Sequence, residues 1–233
     1  FPVYAYAADK GHVIINQVYG ASDDGYADHS FIELYNPTEN NIDLNGWSVQ
    51  YRSSISGNQA DGWAVLKLTG VIEANGYYLI RCGAVATPSG SYKVPQGNQE
   101  WDMVLHNKGV SVTLLSNDAP LTDAFAGDIT SEGVALPTGF VDLAAVGGND
   151  GTADQAPYVY EAAFAYIQSK KKAIRRKDFT DTDNSAADFE EVNYSKSVSA
   201  DKGPHAGSSS VVPTPSYTPV GTTDTQYYGY FNA

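Results

Sequence analysis

Hydrophobic and polar positions alternate in short bursts along the first half of the chain. The stretches "HVIINQVYG", "SFIELYN", "GWSVQYR", "WAVLKLTG", "GYYLIRCG" and "VSVTLLS" alternate or run fully apolar, and turn-forming residues follow each of them. A period of two over such lengths predicts strands, and turns at this spacing belong to a sandwich or barrel. In "FIELYNPTENNIDLNGWSVQY", Ile32 and Leu34 point one way while Phe31, Glu33 and Tyr35 point the other. The segment "NPTENN" then turns the chain, and Trp47, Val49 and Tyr51 share a face. Pro37 and the pair Asn40 and Asn41 are expected to supply the fixed and positive φ values of that connection. Cys82 lies on one face with Tyr78 and Ile80 and reads as a small buried hydrophobe.

After about residue 116 the pattern thins into loop with short ordered segments, and residues 160–167 are expected to form a helical turn. Beyond Val192 the texture changes through "KGPHAGSSS" to a Thr/Pro-alternating stretch and the aromatic end "TQYYGYFNA". A boundary near residue 195 therefore separates an N-terminal extended segment (1–10) and a β-sandwich (11–192) from a C-terminal extension (193–233).

Composition agrees with an all-β protein: 12% of residues are aromatic, only 18% are charged, and glycines number 22. A formal charge of -13 argues against a nucleic-acid partner, because an anionic surface repels phosphate. Lys170, Lys171, Lys172, Arg175, Arg176 and Lys177 form a local exception, expected to be a solvated loop or strand edge neutralised by nearby acids. A single cysteine excludes a disulfide framework. No apolar run is long enough to cross a membrane, and a chain starting at Phe1 is read as the mature form of an extracellular or cell-surface protein.

Catalytic motifs are missing. There is no Gly-x-Ser-x-Gly elbow, and His12, His29, His106 and His205 are scattered. Glu33, Glu100, Asp102 and Glu161 could supply a glycosidase pair, but among 27 acids some pair always looks suitable. Calcium has more in its favour. "DTDNSAAD" offers Asp181, Asp183, Asn184 and Asp188 as hard oxygen ligands, and "SDDGYAD" offers Asp23, Asp24 and Asp28. The competing expectation is a set of Asx turns bonded to their own backbone.

The two ends carry strand-like patterns of their own. In "VVPTPSYTPV" the three prolines fall at odd positions, leaving Val212, Thr214 and their even-numbered neighbours to pair along one flank only. Tyr217, Tyr227, Tyr228, Tyr230 and Phe231 could anchor in pockets. Phe1 and Val3 share one face of the N-terminal segment, and Tyr4 and Tyr6 the other. Such segments suit strand addition to a sheet edge.

Three stretches, "FIELYNPTENNIDLNGWSVQY", "GVIEANGYYLIRCG" and "YEAAFAYIQSKKKAIRRKDFTDTDNSAADFEEV", resemble the bacterial lamin-tail domains over roughly residues 11–192. The resemblance implies an immunoglobulin-like β-sandwich of secreted or surface proteins and carries no catalytic residue with it. The expectation is thus a non-catalytic extracellular protein that assembles with copies of itself by terminal strand donation into a filament or polymer. The alternative is a binding or targeting module for carbohydrate or wall polymer, with calcium-stabilised loops.

Overall fold

A computed structural model describes residues 11–54 and 62–207 of the 233-residue chain. The first half contributes β1 (Ile14–Tyr19), β2 (His29–Tyr35), β3 (Ile42–Asp43), β4 (Ser48–Ser53), β5 (Ala64–Lys67), β6 (Val71–Ile72), β7 (Tyr77–Ala84), β8 (Gln99–Glu100) and β9 (Val110–Leu115). The second half adds β10 (Gly127–Asp128), β11 (Phe140–Gly148), β12 (Val159–Tyr160), β13 (Tyr166–Gln168), β14 (Lys172–Arg176), one helical turn α1 (Ser185–Asp188) and β15 (Phe189–Asn193).

Two sheets face each other. One has the order β15-β14-β1-β2-β7-β8 and the other β13-β11-β9-β4-β5, with β3/β6 and β10/β12 as small ribbons beside them. Alternation decides which side chains meet between the sheets. Ile32 and Leu34 of β2, Tyr78, Ile80 and Cys82 of β7, and Ile174 of β14 pack against Val49 and Tyr51 of β4 and Val110, Val112 and Leu114 of β9. A register shift between Ile15 and Gln17 inserts one extra residue into β1, so that Ile15 and Val18 both reach this core.

Neither sheet leaves its outer face bare. Beyond the six-stranded sheet, Tyr19, Phe31, Leu79, Ala173 and Val192 form a second cluster with Val94 and Tyr194. Beyond the five-stranded sheet, Leu143 and Ala145 pack under Phe125, Ile129 and Val159. The apolar Phe31 on the side away from the main core is the mark of this extra layer. The chain stays on the sheet past residue 195: His205 donates to Glu33, and Gly207 exchanges two hydrogen bonds with the Asn98 side chain. A Cβ at Gly207 would stand 1.9 Å from the Tyr77 carbonyl oxygen, so only glycine allows this approach.

Three local expectations change. Residues 160–167 are not helical: β12 ends at Tyr160, Ala162 takes φ of 50°, and β13 begins at Tyr166. The "NPTENN" turn is held by the Asn36 side chain, which donates to the Asn40 and Glu73 carbonyls and accepts from the Thr38 amide. Positive φ falls on Asn75 of the facing turn, not on Asn40 or Asn41. The cationic run is only in part a loop: Lys170 and Lys171 form the turn before β14, with Lys170 paired to Asp24, whereas Lys172, Arg175 and Arg176 belong to β14, which is no sheet edge because it lies between β1 and β15. Phe1, Val3, Tyr4, Tyr6, Val212, Thr214, Tyr217, Tyr227, Tyr228, Tyr230 and Phe231 lie outside the described residues.

Candidate functional site

On β14, Ile174 and Arg176 share the inward face, and this carries the guanidinium to a position with no solvent exposure. Its donors are fully engaged. Nε bonds the Ile15 carbonyl at 3.1 Å, and Nη2 bonds Asp142 Oδ1 at 2.5 Å. Nη1 reaches the Thr180 carbonyl at 3.0 Å, Asp181 Oδ1 at 3.1 Å and Asp188 Oδ2 at 3.3 Å. A buried charge is stable only when paired and hydrogen-bonded to this degree. Asp142 sits where the β9–β11 register shifts, and it also accepts from the amides of Ile15 (2.5 Å) and Leu143 (2.7 Å).

The loop "DTDNSAAD" wraps this arginine. Asp188 spends its oxygens on Arg176, the Thr182 amide (2.8 Å), the Thr182 hydroxyl (2.6 Å) and the Asn184 amide (3.4 Å). Asn184 caps α1 by accepting from the Ala187 amide at 3.1 Å. These two side chains are therefore occupied by the chain's own donors, which removes them from the expected calcium set. Asp181 retains an open lone pair beside its bonds to Arg176 and to His12 Nε2 (3.1 Å), and Asp183 lies next to it. The second expected set does not converge. Asp24 pairs with Lys170, whereas Asp28 accepts from the Val94 amide and pairs with His29 and Lys93; Asp23 is exposed.

Two acids that no ligand motif in the sequence marks complete the cluster. Asp142 comes from β11 and Glu161 from the bulge after β12, and one oxygen from each lies within 4.8 Å of the others and of an Asp181 oxygen. Glu161 is only 2% exposed, and its Oε2 has no hydrogen-bond partner. Burial, with Asp142 and Asp181 adding repulsion, pushes its carboxyl up to about 10. Asp142 rises to about 7, burial outweighing the attraction of Arg176. Glu161 and Asp183 line a cleft of about 440 Å³ with Thr130, Thr182, Leu136 and Phe140, which leads from solvent to the cluster.

The other buried acid, Glu33, lies on the outer face of the six-stranded sheet. Asn16 donates to its Oε1 at 2.5 Å, while the His205 amide (2.5 Å) and Nδ1 (2.9 Å) both meet Oε2. Glu33 thus holds the segment that follows β15, and Glu100 pairs with Arg81. Phe179 stacks on Tyr35 at 3.9 Å and His205 on Tyr77 at 4.4 Å.

The His205–Glu33 bond makes stability depend on pH. Hydrogen bonding to Glu33 raises the His205 pKa above its ordinary 6.5. A raised folded value means the contribution is complete below about pH 6.5 and fades as pH climbs through the higher folded value. Urea midpoints of the native chain should therefore drop between pH 6 and 8.5 more than those of His205→Asn. Parallel curves would show that this bond has no part in the pH dependence.

The lamin tail domain model matches residues 6–127, more than half the chain and all of β1 to β9. No curated protein matches the chain. The second half closes the same two sheets, with β11 and β13 joining one and β14 and β15 the other. Lamin tail domains are immunoglobulin-like and are not known for catalysis. The two facing sheets and the matched span lead to one assignment: this chain belongs to the lamin tail domain family.

Proposed function

We propose that this domain is a non-catalytic structural module that acts outside the cell and assembles with copies of itself, a terminal segment of one copy adding to a sheet edge of the next. The supporting observation is the outer flank of β5. Leu68 donates to the Trp47 carbonyl, and the register continues through Val49↔Leu66 and Tyr51↔Ala64, so these residues of β5 bond inward to β4. By alternation, the amide and carbonyl of Val65 point away from the sheet. Beyond β5 the five-stranded sheet has no further strand among the described residues. At its far end the Lys67 carbonyl is taken by the Gln99 side chain, which confines pairing to the stretch around Val65. The proline-punctuated segment "VVPTPSYTPV" has the one-sided pattern that such an edge accepts.

Light scattering on the intact chain tests this reading, beside chains starting at Ala8 or ending at Gly207 and a Val65→Pro variant. Proline at an outward edge position removes a free N–H without breaking a β4 bond. Large assemblies are expected from the intact chain, and folded monomers from Val65→Pro and from one truncation. A monodisperse intact monomer at every concentration would end the assembly idea.

A further inference from the structure

The geometry points to a binding site for a hard divalent cation of calcium's class, formed by Glu161, Asp181 and Asp142 with Asp183 at the rim. This inference stands apart from the assembly reading. Three of these residues converge from separate parts of the fold: Asp142 from β11, Glu161 from the bulge after β12, and Asp181 from the loop after β14. Two oxygens bound to one calcium ion at 2.3–2.6 Å are at most about 5 Å apart. The separations of up to 4.8 Å found here fit that limit.

A group of acids alone would not make a site, but Glu161 adds a separate observation. Its Oε2 is buried and has no donor, one of its carboxylate oxygens lies within 4.8 Å of oxygens of Asp142 and Asp181, and both oxygens of each of those two acids are bonded. An unmet buried carboxylate oxygen is costly unless something supplies a positive partner. The charge balance agrees, since Asp142, Asp181, Asp188 and Glu161 surround a single guanidinium, with His12 beside Asp181 as the other basic group. The occupied lone pairs also choose the ligands. Asp188 already accepts from four donors and lies outside the converging group, and Asn184 caps a helix, whereas Asp142 and Asp181 each keep an acceptor position beside their bonds to Arg176. The cleft past Thr130 and Thr182 provides the path in and room for water ligands. A bound cation would tie β11, the 161–163 bulge and the 181–188 loop together.

The rival arrangement is a proton on Glu161 in place of the cation. Calorimetric titration of chelator-treated full-length chain with calcium chloride, with magnesium chloride in parallel and thermal midpoints recorded, separates the two. Calcium should bind and raise the midpoint by about 5 °C or more at a hundredfold excess over Kd. Glu161→Gln should lose this shift and Asp183→Asn should weaken it. In chelator, Glu161→Gln should melt at or above the native chain, because it removes an acid from a crowded cluster, and this also shows that its loss of binding is not misfolding. Absence of heat and of any midpoint change up to roughly 10 mM calcium would assign the site to a proton. A full calcium shift retained by Glu161→Gln would place the ion elsewhere.

Discussion

Replacing Arg176 with methionine is expected to destabilise the domain by about 3–5 kcal/mol, the range seen when one partner of a buried ion pair is removed. The loss would take a large share of the 5–15 kcal/mol that holds a typical domain folded. Asp142 and Asp188 are both essentially buried and would lose their bonds to the guanidinium, while the Ile15 and Thr180 carbonyls would each lose a donor. Urea unfolding at pH 7 gives the magnitude, and its pH dependence gives the cause. Without Arg176 the Asp142 carboxyl rises above its value of about 7, so the variant takes up a proton in the folded state at higher pH than the native chain, and the deficit should narrow as pH falls from about 9 toward 7. A midpoint equal to that of the native chain would mean that Arg176 is not the charge that organises this corner.

Tyr194→Ala should be nearly as damaging, at about 3–5 kcal/mol, whereas Tyr194→Phe should cost only about 1 kcal/mol. The ring sits among Tyr92, Tyr19 and Phe31, with centroids at 4.9, 5.4 and 6.1 Å. Its hydroxyl adds one hydrogen bond, from Gln17 at 2.8 Å. Comparison of the two variants separates ring burial from the hydroxyl. If alanine is tolerated, the layer over the outer face of the six-stranded sheet is only an ornament, and a chain stopped after β15 would be stable.

How far the fold could be read in advance depended on how local its cause is. Alternation within six or seven residues marks β2 or β4 by itself, and it placed Ile32 and Leu34 opposite Phe31 and Glu33. What covers Phe31 and Glu33 comes from Tyr194 and His205, more than 160 positions away, and no window on the chain contains that pairing. Arg176 was hidden in a different manner. In "KKKAIRRK" it is one cation among six, and only the register of β14 against β1 and β15 shows that it points inward while Lys172 pairs with Glu191 near the surface. "YEAAFAYI" is rich in helix formers, yet its ends are tied into separate strands, so tertiary pairing overrode local preference. The acid cluster was half legible. "DTDNSAAD" advertised oxygen ligands and contributed Asp181 and Asp183, but the same loop used Asp188 and Asn184 to build itself, and the remaining acids came from β11 and the β12 bulge.

The routes by which the described chain enters and leaves the sandwich have a mechanical consequence. Gly11 leads into the start of β1, whose Ile14 lies opposite Tyr35, which in turn lies opposite Tyr77, against which Gly207 rests. Entry and exit thus share one pole, two strand spacings or roughly 10 Å apart. Tension drawn through both exits would not shear the sheets along their length. It would peel the 194–207 strap from that pole, opening the Asn98–Gly207 and Glu33–His205 contacts in turn, while the same force at the other end pulls on the start of β1.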